Sequence, residues 1–165
     1  MNNPQMNNRE MHQTAQRPLT FGVEEEFLVL EKGTGQPVQV EPQILQQQPA
    51  CPPGQWSIDA HIGMLEHGTP IFADIAALSQ HLLDCRQFLH QYCQQQQLQL
   101  FCGGTHPQLD WRSQPLQPHY QRTANELRQL LNQLFTFGMH CHIGNCPPAQ
   151  LPALFNACLL YTSDA

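Results

Sequence analysis

The segment Thr20-Phe21-Gly22-Val23-Glu24-Glu25-Glu26-Phe27-Leu28-Val29-Leu30 sets three consecutive carboxylates inside an apolar run. Its β-branched and aromatic residues, bounded by Pro18 and Gly33, predict a β-strand. Successive side chains of a strand point to opposite faces. Phe21, Val23, Glu25, Phe27 and Val29 therefore share one side, and Glu24 and Glu26 share the other with Leu28 and Leu30. Two carboxylates side by side on a sheet face repel unless a positive charge sits between them. A hard cation such as Mg²⁺ meets that need, because it prefers oxygen ligands and bridges readily to phosphate. A solvated strand face is the plain alternative, and the apolar residues around the pair weigh against it.

Three further places carry polar residues that a plain core would not want. In Asp59-Ala60-His61-Ile62-Gly63-Met64-Leu65-Glu66-His67-Gly68-Thr69-Pro70, Glu66 stands among apolar neighbours, a setting that asks for a partner. Cys102-Gly103-Gly104-Thr105-His106-Pro107 reads as a strand end running into a glycine loop, where backbone N–H groups can approach an anion. Gly138-Met139-His140-Cys141-His142-Ile143-Gly144 places His140 and His142 on one strand face, as Glu24 and Glu26 are placed on theirs. His106, His140, His142 and Cys146 offer four nitrogen and sulfur donors to Zn²⁺, but their spacing matches no common structural zinc pattern.

These residues need elements to position them. After the first strand, Glu31 to Gly35 reads as a turn, Pro37 to Val40 as a short second strand, and Gln43 to Gln48 as a helical stretch broken by Cys51-Pro52-Pro53-Gly54. Trp56 to Glu66 offers extended segments with a bend at Gly63. Ile75, Leu78, Leu82, Cys85, Leu89 and Tyr92 then recur at helical spacing as one apolar stripe, which is core packing. The Gln94–Gln97 run ends that helix, and Leu98, Leu100 and Cys102 alternate as a strand. A second helix is expected after Pro118, with Tyr120, Ala124, Leu127, Leu131 and Leu134 on one face. Met139 to Asn145 reads as another strand, and Pro147-Pro148 open a final helix. Strands joined by helices of this length predict an α+β or α/β domain with helices covering one face of a sheet.

The chain of 165 residues suffices for one domain with a substantial core. Its net charge of −6, with only 7 Lys and Arg, argues against a nucleic-acid partner. No apolar run approaches the roughly 20 residues that span a bilayer, so no membrane association is expected. The first 17 residues are polar and rich in Asn and Gln, which predicts a disordered tail and not a secretory signal. Seven cysteines without a Cys-x-x-Cys pair point to reduced thiols and a cytoplasmic setting.

Taken in order, the Glu-x-Glu strand, Met64-Leu65-Glu66 with Thr69, Gly103-Gly104-Thr105-His106-Pro107 followed by Trp111 and Gln114, Tyr120, and Phe137-Gly138-x-His140-x-His142-x-Gly144 resemble the glutamate–cysteine ligase type 2 family of carboxylate–amine ligases. The resemblance runs from about Leu19 to Gly144. It implies a glutamine synthetase-like α+β fold, with a curved, mainly antiparallel sheet, helices packed on one face, and ATP, Mg²⁺ or Mn²⁺ and amino-acid substrates on its concave face. It implies that Glu24, Glu26 and Glu66 ligate metal, that Asp59 helps to hold metal, and that His140 stands beside the cluster. Gly103, Gly104, Thr105 and His106 are the positions expected to bind the nucleotide. The implied chemistry joins the γ-carboxyl of glutamate to cysteine through a γ-glutamyl phosphate, with another amine as an alternative acceptor. Relatives often carry an acidic residue where this chain has Ile62, and Arg-Tyr where it has His119-Tyr120, which bears on substrate preference.

Family members run to more than twice this length. The end, Cys158-Leu159-Leu160-Tyr161-Thr162-Ser163-Asp164-Ala165, resembles the translation of a transposase adaptor used in sequencing libraries. The expected organisation is a tail at 1–17, the N-terminal part of a single catalytic domain at 18–157, and adaptor-derived residues at 158–165. Such a fragment is expected to be inactive alone, and the intact protein to be a homodimer. Two competing readings are a guanidino kinase, which shares the broad fold, and a non-catalytic His/Cys metal-binding domain, which would prefer Zn²⁺ over Mg²⁺.

Overall fold

The computed structural model describes residues 17–61, 63–108, 116–120 and 136–162. The expectations for 1–16, for Ile62, Trp111 and Gln114, for the helix after Tyr120 and for 163–165 lie outside those residues. The described residues divide into two compact units, one within Thr20–Gly144 and a second that includes 17–19 and 145–162.

The larger unit is organised by its first strand. Strand β1 runs Thr20–Glu31, and its alternation of buried and half-buried residues follows the period expected of a strand with one face in the core. A short helix α1 (Pro42–Gln46) follows, with proline in its first turn. Strands β2 (Gln55–Ile58) and β3 (Met64–Gly68) form an antiparallel pair, with Gly63 at φ +85° in the bend before β3. An added Cβ at Gly63 would fall 2.8 Å from the Pro37 side chain, so glycine is required there on both counts. Helix α2 (Ile75–Gln95) begins at Asp74, whose carboxylate accepts the Ala76 N–H at 2.9 Å. It ends in the glutamine run, where Gln97 takes a left-handed conformation before β4 (Leu98–Phe101). Strand β5 (Met139–Gly144) closes the unit.

All the strand pairs are antiparallel, so the domain is α+β. Residues Glu24–Leu28 of β1 pair with β3, and β2 lies beyond it. Glu24 and Glu25 also pair with β5, while Leu28–Glu31 pair with β4. A strand has two edges, so β4 and β5 must share the second edge of β1, one at each end. The sheet face carrying Phe27, Val29, Leu65 and Trp56 packs against Leu45 of α1 and Phe88, Leu89 and Cys93 of α2, making the main core. The opposite face carries a smaller apolar cluster of Leu28, Leu30, Met64, Phe101 and Phe137.

Two expectations change. Pro37–Val40 is not a strand: Pro37 makes an isolated bridge to Leu30, and Val40 turns into the core. The buried stripe of α2 comprises Leu78, His81, Cys85, Phe88, Leu89 and Cys93, and Ile75 is 60% exposed. The stripe is rotated because the helix packs His81 against Phe72 and His67, leaving its first residue at the rim. No helix among the described residues is long and apolar enough to cross a membrane.

In the second unit, the Asn145 side-chain amide donates to the Pro18 carbonyl at 3.2 Å. Pro148–Gln150 form a 3-10 turn that leads into helix α3 (Leu151–Thr162).

Candidate active site

Antiparallel register decides which side chains meet, because residues directly opposite one another share a face. Glu26 lies opposite Glu66, Glu66 opposite Ser57, and Glu24 opposite His140. Glu24, Glu26, Glu66, Ser57, His140 and His142 therefore stand on the sheet face away from α2. Glu25 alone of the three consecutive glutamates points to the helix side. There Arg86 of α2 donates from Nε at 2.8 Å and approaches from Nη2 at 2.5 Å, both to Oε1.

Each carboxylate of the outer face is held differently. Glu26 is held by the backbone: its Oε2 accepts the Gly138 N–H at 2.9 Å, and its own N–H donates to the Gly138 carbonyl at 3.0 Å. Glu66 accepts from the Ser57 hydroxyl at 3.0 Å. Asp59, at the end of β2, accepts from the Tyr120 hydroxyl at 2.8 Å. Glu24 is more open, with His142 Nε2 at 3.1 Å and His140 Nδ1 at 3.7 Å. His140 Nδ1 also lies 4.0 Å from Glu26.

The electrostatics show charge of one sign gathered in a partly dry place. Burial raises the Glu26 carboxyl above its ordinary value, and the charges of Asp59 and Glu66 push the same way. The Gly138 N–H and His140 oppose that rise. The Tyr120 phenol is pushed up to about 12, first by its bond to Asp59, then by burial and by the charges of Asp59, Glu66 and Glu26. Among the described residues, no lysine or arginine pairs with Glu24, Glu26, Asp59 or Glu66. A cleft of about 320 Å³ opens between Glu26, Asp59, Tyr120, Phe137, Gly138 and His140.

The glycine loop borders this face. Phe101, in the apolar cluster beside Leu28, stacks edge-on with His106 at 5.1 Å. An added Cβ at Gly103 would fall 2.9 Å from the Phe101 ring, so the loop follows the ring closely. Gly104 accepts the Phe137 N–H, and Thr105 bridges Thr136, which ties the loop to the strand that carries His140.

Residues 20–159 match the sequence profile of the glutamate–cysteine ligase family 2. The chain belongs to that family. A Roseiflexus protein (strain RS-1) provisionally named glutamate–cysteine ligase 2 is 32% identical over 129 residues, covering 77% of this chain and 34% of its own length. A similarly named protein of Chromobacterium violaceum is 33% identical over 135 residues, covering 79% of this chain and 35% of its own. One from Herpetosiphon aurantiacus is 27% identical over 129 residues. The chain thus spans about a third of the length of the curated relatives that it matches.

Within this family member, the Glu-x-Glu strand, Glu66, Asp59 and His140 come to one sheet face. Their oxygens and nitrogens do not all close on one point: among the described residues, only His67, His81 and Cys85 bring three such ligand atoms within 4.8 Å of one another. His106, His140, His142 and Cys146, weighed for zinc, form no such group among the described residues, and Cys146 belongs to the other unit. Sequence reasoning missed Ser57 and the Gly138 N–H as partners of the carboxylates, and it set Tyr120 on a helix face and in the family motif without pairing it to Asp59. Strand alternation from Glu66 could not reach Ser57 without the β2–β3 register.

Proposed function

We propose that this chain is the part of an ATP-dependent carboxylate–amine ligase that carries its divalent-cation face, and that the whole protein joins the γ-carboxyl of glutamate to cysteine. The single observation that carries the reading is the convergence of Glu24, Glu26, Glu66 and Asp59 on one face, with His140 beside them and no paired lysine or arginine among the described residues. Family membership supports the class of reaction. The donor set fits Mg²⁺ or Mn²⁺, since it consists of hard carboxylate oxygens in surroundings that raise the cost of their negative charge.

In this reading Glu26 and Glu66, on adjacent strands, would hold the cations together with Glu24 and Asp59. Bound divalent ions would neutralise charge on the phosphoryl group passing from ATP to the glutamate carboxylate. The chain's own groups set the stage for that transfer. Ser57 fixes the Glu66 carboxylate, and Tyr120 fixes Asp59. The Gly138 N–H orients Glu26, leaving its other oxygen facing His140. Gly103, Gly104, Thr105 and His106 border the same face and would bind the nucleotide. Phosphorylation turns a poor acylating carboxylate into an acyl phosphate, and the amine of cysteine displaces phosphate from it. No protein nucleophile is needed, so the cysteines of the chain have no covalent role. The sheet is assigned to a glutamine synthetase-like fold on the same grounds.

The test uses the full-length gene product and follows ADP formation with Mg²⁺ and glutamate, with cysteine present or replaced by other amines. Turnover that needs both amino acids and collapses in Glu26→Gln and Glu66→Gln is the expected result. Turnover with a different amine alone changes the acceptor and keeps the chemistry. A folded protein that turns over ATP with no carboxylate–amine pair refutes the proposal.

A further inference from the structure

A second cluster of metal-ligating side chains lies on the other side of the sheet, and the ligase chemistry does not use it. His81 and Cys85 are four apart on α2 and so project from one helix face. His67, one residue after Glu66 on β3, points from the opposite sheet face toward them. All three side chains are buried. Both imidazoles aim Nε2 at the Cys85 sulfur, at 3.4 Å from His81 and 3.7 Å from His67. A tetrahedral Zn²⁺ with bonds of about 2.3 Å to sulfur and 2.0–2.1 Å to nitrogen holds those atoms about 3.5–3.6 Å apart. The observed pair of distances brackets that value. Gly54 packs closely against His67, since a Cβ there would fall 2.4 Å from its Nε2.

From this geometry we infer that His67, His81 and Cys85 form a buried Zn²⁺ site that clamps α2 to β3 behind the glutamate face. The donor chemistry separates it from that face. One sulfur and two imidazoles select a borderline-soft cation, whereas the carboxylates select Mg²⁺ or Mn²⁺. Binding through Nε2 leaves each imidazole proton on Nδ1, and the Cys85 thiol proton leaves to solvent as the Zn–S bond forms. The Pro53 carbonyl, Cys51, Glu25 and Asp84 lie around the cluster, and since none of these side chains joins the three donors within 4.8 Å of one another the fourth position falls to water. The inference stands apart from the proposed ligase activity.

The test titrates the chelator-treated 165-residue chain with Zn²⁺ and, separately, with Co²⁺, and reads stoichiometry and the sulfur-to-cobalt absorption band. The expected result is one equivalent of Zn²⁺, a cobalt band that vanishes in Cys85→Ser, binding lost in His81→Ala, and both retained in His142→Ala. Circular dichroism of each variant checks the fold. Native mass spectrometry of the unaltered chain, reading one bound zinc, gives a result that needs no variant. Absence of a zinc equivalent, or a band lost in His142→Ala and kept in Cys85→Ser, overturns the site. The last outcome would move the metal to β5.

Discussion

Arg86 is the residue whose loss should tell most about how the glutamate strand is held. Its guanidinium reaches from α2 to the single oxygen Oε1 of Glu25, while Glu25 Oε2 has no partner among the described residues. The Glu25 side chain is 8% exposed and the Arg86 side chain 51%. Removing one member of a fully buried pair costs about 3–5 kcal/mol, whereas exposed pairs contribute about 0–1 kcal/mol. Here the carboxylate is dry and the guanidinium half wet, which places Arg86→Met near 2 kcal/mol, on the order of the midpoint between those limits. Methionine keeps much of the apolar stem, so the loss reports the charge and its hydrogen bonds and not the packing. Urea unfolding followed by circular dichroism should show a midpoint lower by about 1 M, taking a slope of about 2 kcal/mol per M. The loss should persist in 1 M salt, because a stranded carboxylate inside the protein is poorly screened. The double variant Glu25→Gln/Arg86→Met should recover part of it, since no buried charge then lacks a partner. A change below about 0.5 kcal/mol, or one abolished by salt, would refute the view that Glu25 anchors β1 to α2.

Other expectations concern packing, geometry and reactivity. Leu89→Ala removes a fully buried side chain of the main core and should cost about 3 kcal/mol by urea unfolding. Gly54→Ala sets a Cβ 2.6 Å from the Gly68 carbonyl at a residue with φ +141°, and should lower stability by about 1–3 kcal/mol in thermal melts. Ser57→Ala frees the Glu66 carboxylate and should weaken Mn²⁺ binding by about 10-fold or more, read by paramagnetic titration, with the melting curve little changed. Burial pushes the Cys93 thiol up to about 11, so iodoacetamide at pH 8 should label exposed Cys141 well before Cys93, as peptide mass mapping can follow.

Local periodicity made the strands and helices of this chain largely readable. The two-residue alternation of β1 foretold which glutamates share a face, while the helical spacing of α2 found Leu78, Cys85 and Leu89 of its buried side and missed His81, Phe88 and Cys93. Pro37–Val40 misled because a strand needs a partner along its length, and β1 offers only Leu30 to Pro37. Register was the larger gap. That Glu26 faces Glu66, and Glu66 faces Ser57, depends on pairings between distant segments that no local pattern encodes. The family resemblance brought those glutamates together in advance, yet it was silent on Arg86 and on the buried cluster. A signal for the cluster did exist, since His81 and Cys85 stand four apart on a helix. Nothing local could place His67 opposite them.

The division of one edge of β1 between β4 and β5 has a consequence for how the protein is made. Thr20–Glu25, near the start of the chain, find their partner only when Met139–Gly144 have left the ribosome. Until then the strand offers an unpaired row of backbone donors and acceptors beside Val23 and Phe27, which is a template for mispairing with another chain. Pairing between such distant segments is also slow to form. Glu24, Glu25 and Glu26 sit on that waiting stretch, and three adjacent negative charges repel a second copy of the same strand. The residues proposed to hold metal in the finished protein would thus keep nascent chains apart while it is being built.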